Sequence, residues 1–433
     1  MNDSNPDAEL VATLAAAPGR PVWLQVGALF DGTSPAAQRD AHLVYDAGGI
    51  RHAGAARPAP HLLRPGQDAP DRVLPGHTLL PGLIEAHAHL FLEGGEENPE
   101  RRAVGQKLPD EELLARAAAR LPRILALGIV AVRDAGDKNG VGLALQRAYR
   151  AAPRGATPYV DSPGPALYHQ GRYGSFMGRP IEEHASLEAA IADRVAGGAH
   201  RIKLLATGII NFEKGAVTAK PPMPAEELVR AVAAARALGR QTFAHCSGND
   251  GVANCLAGGV DSIEHGFFVD DAQLARMRDA DIAWVPTFAP VQFQVDKAAQ
   301  LGWSDLIRGN LQRILDGHAA SLALAARLGV RIVAGSDAGS HGVAHGHGFL
   351  HELELMERAG LGAGSVLRAA TGAVGERLGF AEDFGVLRAG ARARFILTAA
   401  PVLESVAHLR SPRLVVYDGA VHAGGDDPGR PGL

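Results

Sequence analysis

A chain of 433 residues is too long for one small core, and a formal net charge of -4 with scattered basic residues excludes an electrostatic footprint for nucleic acid or an anionic membrane. Two cysteines, Cys246 and Cys255, cannot supply a disulfide framework and fit a reducing compartment. In chain order, residues 1–20 read as a short Ala-rich helix or loose tail. It carries Asp3, Asp7 and Glu9 and no basic leader, and no apolar run is long enough to span a bilayer. A soluble, cytoplasmic protein is expected, with a homo-oligomer as an open option. From 22 to about 74, short β segments are broken by Gly, Pro and Asp, and the same texture returns at 393–397 and 413–419. The two ends, 21–76 and 383–433, are expected to form one small β-sandwich domain.

The centre, 77–382, alternates short β-branched runs with Ala- and Leu-rich stretches of helical period, which argues for βα units and a parallel sheet. Strands are expected at 79–89, 129–134, a weakly defined one before 168, 201–206, 241–245, 261–265, 282–287 and 331–337. Helical patterns fall at 110–127, 224–238, 271–280 and 306–328. Eight strands suit an α/β fold of the (β/α)8 TIM-barrel class better than an open doubly wound sheet. An open sheet would also want a Gly-rich phosphate turn after its first strand, and none is there.

In a parallel barrel the functional groups sit at the C-terminal strand ends. The first expected strand ends in Pro81-Gly82-Leu83-Ile84-Glu85-Ala86-His87-Ala88-His89. Side chains alternate along a strand, so His87 and His89 share a face and can grip one metal ion. The same spacing also fits two unrelated polar residues, so the later strand ends decide. These supply Lys203 in an otherwise apolar run, His245, His265 and Asp337. Each alone has an ordinary structural explanation: an ion pair for Lys203, core hydrogen bonding for the histidines, a turn for Asp337. Together, at the ends of different strands, they point to a metal centre. A neutral lysine amine also reacts with carbon dioxide to give a carbamate, an anion able to bridge two metals.

This combination resembles the amidohydrolase superfamily. The phrases that carry the likeness are Pro81-Gly82-Leu83-Ile84, Lys203-Leu204-Leu205-Ala206-Thr207-Gly208, Asp261-Ser262-Ile263-Glu264-His265-Gly266 and Gly335-Ser336-Asp337-Ala338-Gly339. They are most similar to the branch containing imidazolonepropionase-like proteins, Xaa-Pro and Xaa-Arg/Lys dipeptidases, and certain phenylurea and mycotoxin amide hydrolases. The resemblance implies two divalent ions, zinc by default with manganese or cobalt as alternatives. It places His87, His89 and Asp337 on the more buried ion, His245 and His265 on the more exposed one, and carboxylated Lys203, formed with carbon dioxide or bicarbonate, between them. It further implies a bridging hydroxide as nucleophile and Asp337 as the group that moves the proton.

The expected activity is hydrolysis of an amide-type C–N bond in a small molecule: an N-acyl amino acid, a dipeptide, or an aryl-amide or urea-like compound. Lactone, ester or organophosphate hydrolysis is the alternative on the same site, a one-metal deaminase is further off, and a catalytically silent binding barrel is the reading from another class. Three departures stand out: Ser247 two residues after His245, bulky Ile209 and Ile210 after the fourth strand, and Arg394 where relatives often have Asp. In Tyr168-His169-Gln170-Gly171-Arg172-Tyr173, His169 or Tyr168 is expected to hydrogen-bond the scissile carbonyl oxygen and Arg172 to pair with a substrate carboxylate, with Tyr173 a further substrate-binding residue. His341, His345 and His347 are read as an entrance or surface loop and not as ligands.

Overall fold

The computed structural model describes residues 8–15, 19–380, 383–411 and 413–424. Strands β1 (Val22–Leu29), β2 (Gln38–Asp46), β3 (Gly49–Gly54) and β4 (Arg72–Pro81) come from the start of the chain. The far end supplies β12 (Arg394–Thr398), β13 (Arg413–Tyr417) and β14 (Ala420–Gly424). They form one seven-stranded sheet in the order β14-β13-β12-β4-β1-β2-β3, mixed because β1 and β4 run parallel and the other pairs antiparallel. Its apolar face buries Leu24, Val26, Leu43, Tyr45, Phe395 and Val416, with Tyr45 and Phe395 edge to face at 5.1 Å. The Tyr45 hydroxyl donates to the Leu14 carbonyl at 2.8 Å, which ties down the helix Ala8–Leu14. Arg394 is absorbed in this part of the fold: it makes a two-pronged pair with Asp418 at 2.8 and 2.7 Å and lies 4.0 Å from the Phe384 ring centroid.

The central strands form two parallel sheets. One holds β5 (Leu83–Ala88), β6 (Ile129–Asp134) and β7 (Tyr159–Asp161); the other holds β8 (Arg201–Leu205), β9 (Gln241–Cys246), β10 (Ser262–His265) and β11 (Ala283–Val285). Nearly every residue of these strands is buried, as expected where helices cover one face and side chains fill the other. The expected first strand is two elements, since Gly82 separates β4 from β5. The Gly82 amide bonds the Arg394 carbonyl at 3.0 Å, so the terminal sheet is stitched to the start of β5.

The expected eighth strand, 331–337, is not a continuous ladder. It is attached by isolated parallel bridges, Trp284 to Ile332 and Ala88 to Ala338, and by amide bonds Ala86 to Ala334 and Asp337 to His87. Asp337 has φ of 56°, which ends the extended run at that residue. Gly335 also lies so close to His87 that an added Cβ would meet its amide nitrogen at 2.9 Å. A further bridge, Leu167 to Leu204, joins the segment after β7 to β8. Among the described residues no helix is long and apolar enough to cross a membrane.

One buried ion network spans from the first parallel sheet to the second. Arg133, on β6, donates to the Ala86 carbonyl at 2.6 Å, to Ser262 Oγ at 3.0 Å, and to both oxygens of Glu264 on β10 at 2.9 and 2.8 Å. Removing one partner of such a pair strands the other charge, which costs about 3–5 kcal/mol. Arg133→Met is therefore expected to lower the urea midpoint correspondingly, and Arg133→Met with Glu264→Gln to recover part of the loss. Equal stability of the Arg133→Met protein and the parent would refute this.

Candidate metal centre

His87 is the penultimate residue of β5, and His89 lies one residue beyond its end. Asp337 meets them from the segment after β11, with its Oδ1 3.6 Å from His87 Nε2 and 3.5 Å from His89 Nε2. One ligand atom from each of the three lies within 4.8 Å of the other two. The imidazoles of β9 and β10 complete the cluster: the His87 and His265 ring centroids are 5.1 Å apart and those of His245 and His265 4.6 Å.

Each ring is anchored through one nitrogen. His87 Nδ1 bonds Glu264 Oε2 at 2.6 Å, His89 Nδ1 bonds the Gly136 carbonyl at 3.2 Å, and His265 Nδ1 bonds Thr287 Oγ1 at 2.7 Å. His245 Nε2 reaches the Gly208 carbonyl at 3.4 Å. Anchoring one nitrogen of a neutral imidazole leaves the lone pair of the other for a ligand. At His87 that atom, Nε2, is buried and has no hydrogen-bond partner among the described residues. An orphaned acceptor facing a carboxylate is costly unless a cation sits between them, so this trio fits a metal ion.

Burial sets the charge states. It holds His89 and His245 down to about 3 and His87 and His265 well below the usual imidazole range, with Lys203 adding to the effect. All four are thus neutral near pH 7, the form a metal requires. Burial pushes Asp337 up to about 6 and Lys203 down to about 8. Lys203 is almost fully buried on β8, its Nζ 4.7 Å from the Phe243 ring centroid. Beneath the site, Glu85 accepts from the Ser336 amide at 2.9 Å, the Ser336 hydroxyl at 2.6 Å and the His87 amide at 3.0 Å. That bond set locks the Asp337 turn against β5. Positive φ at His265 (68°), Thr287 (52°) and Asp337 (56°) concentrates backbone strain at these strand ends, as functional sites do.

The residues expected after the third strand divide. Tyr173 reaches the site: its ring centroid is 5.0 Å from that of His245, and its phenol pKa is raised by burial and then by Asp337. The Tyr168 hydroxyl donates to the Gly178 carbonyl at 3.0 Å. Both His169 nitrogens are engaged, Nδ1 with Glu182 at 2.8 Å and Nε2 with Glu227 at 3.0 Å. Arg172 is exposed. The His341–His347 run is more tied down than a surface loop: His341 Nε2 bonds the Glu97 carbonyl at 2.8 Å and His345 Nε2 the His89 carbonyl at 3.1 Å. Ser247 is buried, with its amide on Thr207 Oγ1 at 3.0 Å. Nothing in the chain order marks Arg133, and Glu264 is marked only by standing immediately before His265.

The amidohydrolase family model matches residues 78–421, and the chain belongs to that family. It is therefore a metal-binding hydrolase of the amidohydrolase type. An uncharacterized protein of Mycobacterium tuberculosis (strain ATCC 25618 / H37Rv) is 27% identical over 305 residues, covering 69% of this chain and 74% of the relative. An uncharacterized protein of Mycobacterium bovis matches equally well. Among solved structures, a Xaa-Pro dipeptidase with bound methionine in the active site has a TM-score of 0.78 at 24% identity, covering 93% of this chain and 100% of that one. The A. niger ochratoxinase has a TM-score of 0.78 at 22% identity, covering 96% and 99%. At these identities the likeness shows a shared fold.

Because Glu264 orients His87, Glu264→Gln is expected to weaken zinc or manganese binding about 10- to 100-fold. Direct titration of the metal-stripped protein checks this. Unchanged affinity would mean that the ring is held by packing alone.

Proposed function

We propose that this enzyme hydrolyses an amide-type C–N bond of a small molecule with two divalent ions, zinc by default. The single observation that carries this reading is the buried, orphaned Nε2 of His87 facing Asp337 beside His89. In this reading the two parallel sheets and the segment 331–337 are the staves of one (β/α)8 barrel spanning 77–382. The described parts of 21–76 and 383–433 form the β-rich second domain, against which the helix Ala8–Leu14 packs through Leu14; 425–433 lie outside the described residues.

His87, His89 and Asp337 would hold the more buried ion, and His245 and His265 the more exposed one. Lys203 supports a place between them. An amine lowered to about 8 by burial is partly neutral near pH 7.5 and attacks carbon dioxide, forming an N–C bond and releasing a proton. The resulting carbamate offers two anionic oxygens in place of a repelled ammonium. Bound divalent ions supply Lewis acidity, lowering the pKa of water to roughly 7 and polarising a carbonyl.

The protein's own part is proton movement and orientation. Asp337, with a pKa lifted to about 6 by burial, accepts the proton of the attacking water and returns it to the leaving nitrogen. In this reading the Tyr173 phenol, whose ring centroid lies 5.0 Å from that of His245, donates a hydrogen bond to the scissile carbonyl oxygen. His169 and Tyr168 spend their polar atoms on Glu182, Glu227 and Gly178, which leaves them to shape the loop that carries Tyr173.

Reconstituted protein is expected to hold about two zinc equivalents, and a chelator to abolish turnover that added metal restores. Asp337→Asn should lower kcat about 10²- to 10⁴-fold. Panels of dipeptides, N-acyl amino acids, phenylureas and lactones read the bond class. One metal with deamination, lactones alone as substrates, or no metal and no turnover would each overturn the reading.

A further inference from the structure

The loop that follows β5 carries a cation that has no ion-pair partner among the described residues and is not one of the metal-site groups. The helix Pro99–Gly105 is capped by Asn98, whose Oδ1 accepts from the Glu100 and Arg101 amides at 2.9 and 3.0 Å. Its two arginines behave oppositely. Arg101 is exposed and pairs with Glu96 at 3.1 Å. Arg102 turns inward and is partly buried, and its Nη1 is shielded from solvent without a hydrogen-bond partner among the described residues.

The loop is held where it is. Glu97 pairs with Lys297 at 3.2 Å, its carbonyl bonds His341, and Gly94 lies so close to 339–345 that an added Cβ would meet the Val343 carbonyl at 2.5 Å. The Arg102 charge acts on Asp337, Tyr173 and His89, and on His345 behind His89, so its guanidinium lies beside the metal centre. A guanidinium remains charged in any such environment, so a shielded donor with no acceptor is a cost the fold bears. Divalent ions at the centre would raise the positive potential further. An arriving anion relieves both effects, and the planar fork of a guanidinium suits a carboxylate.

We propose that Arg102 is the carboxylate-recognition residue of this site, so that the substrate is an acyl amino acid or dipeptide with a free carboxylate, in preference to a neutral aryl amide or urea. The role expected of Arg172 then falls to Arg102, since Arg172 lies exposed on a different loop. This inference rests on the hydrolase reading for its substrate class, while its binding component can be tested independently.

The test compares the metal-loaded parent, Arg102→Met, Arg102→Lys and Arg172→Met on N-acetyl-L-amino acids and the corresponding N-acetyl-L-amino acid amides. Both kcat/KM and calorimetric binding of the uncleaved carboxylates are measured. For Arg102→Met, carboxylate kcat/KM is expected to fall on the order of 100-fold relative to the amides, mainly through KM, with Arg102→Lys intermediate. Binding of the carboxylates should weaken in parallel while the thermal midpoint holds. Equal losses on acids and amides, no loss, a larger shift in Arg172→Met, or a parent that binds no carboxylate would overturn the proposal. A parent that cleaves neither series yet binds the acids through Arg102 would sustain it and sink the hydrolase reading instead.

Discussion

The contact between His87 and Glu264 organises this molecule. It joins a side chain on β5 to one on β10, and Glu264 is itself clamped by Arg133 from β6 and by the Ser262 hydroxyl at 2.6 Å. Burying a lone carboxylate or guanidinium in such a core is strongly unfavourable. Only the complete set, with both Glu264 oxygens and most of the Arg133 donors matched, is tolerable there. The same set fixes which His87 nitrogen is free. Folding and site assembly are therefore one event: where the two sheets close on this network, the imidazole is aimed.

A second constraint is the turn that carries Asp337. Its positive φ and the close approach of Gly335 to His87 break the last strand just where an acidic group must leave the ladder and face the histidines. Glu85, held largely protonated near neutral pH by burial at about 8, absorbs the Ser336 amide and hydroxyl that this break would otherwise orphan. The strain thus sits beside bonds strong enough to retain it.

Burial does most of the electrostatic tuning. It keeps four imidazoles neutral, brings a lysine amine toward neutrality and lifts the Asp337 carboxyl, all within one shielded volume. Groups pushed in opposite directions by one environment can exchange protons near neutral pH. Beside that volume the loop after β5 carries Arg102, whose charge acts on Asp337 and Tyr173.

Much of this was legible in the amino-acid order. His87 and His89 are fixed on one face by the period of a strand, and Lys203, His245 and His265 sit on apolar runs that are parallel strands, whereas the run ending in Asp337 is held only by isolated bridges. The terminal β segments and their assembly from both chain ends were also visible as period and punctuation, but the expected two-layer sandwich is one seven-stranded mixed sheet, because β1, β4 and β12 pair edge to edge. Tertiary structure alone decided the rest, because it depends on contacts across more than a hundred residues of sequence. Glu264 is 177 positions from His87, and no local pattern marks it as that ring's acceptor. Arg102 lies in a charged run that reads as solvated surface, and only the fold of its loop separates it from exposed Arg101. Spacing along the chain dictates which side chains share a face; desolvation and partner geometry, which exist only in the folded core, dictate what each can do.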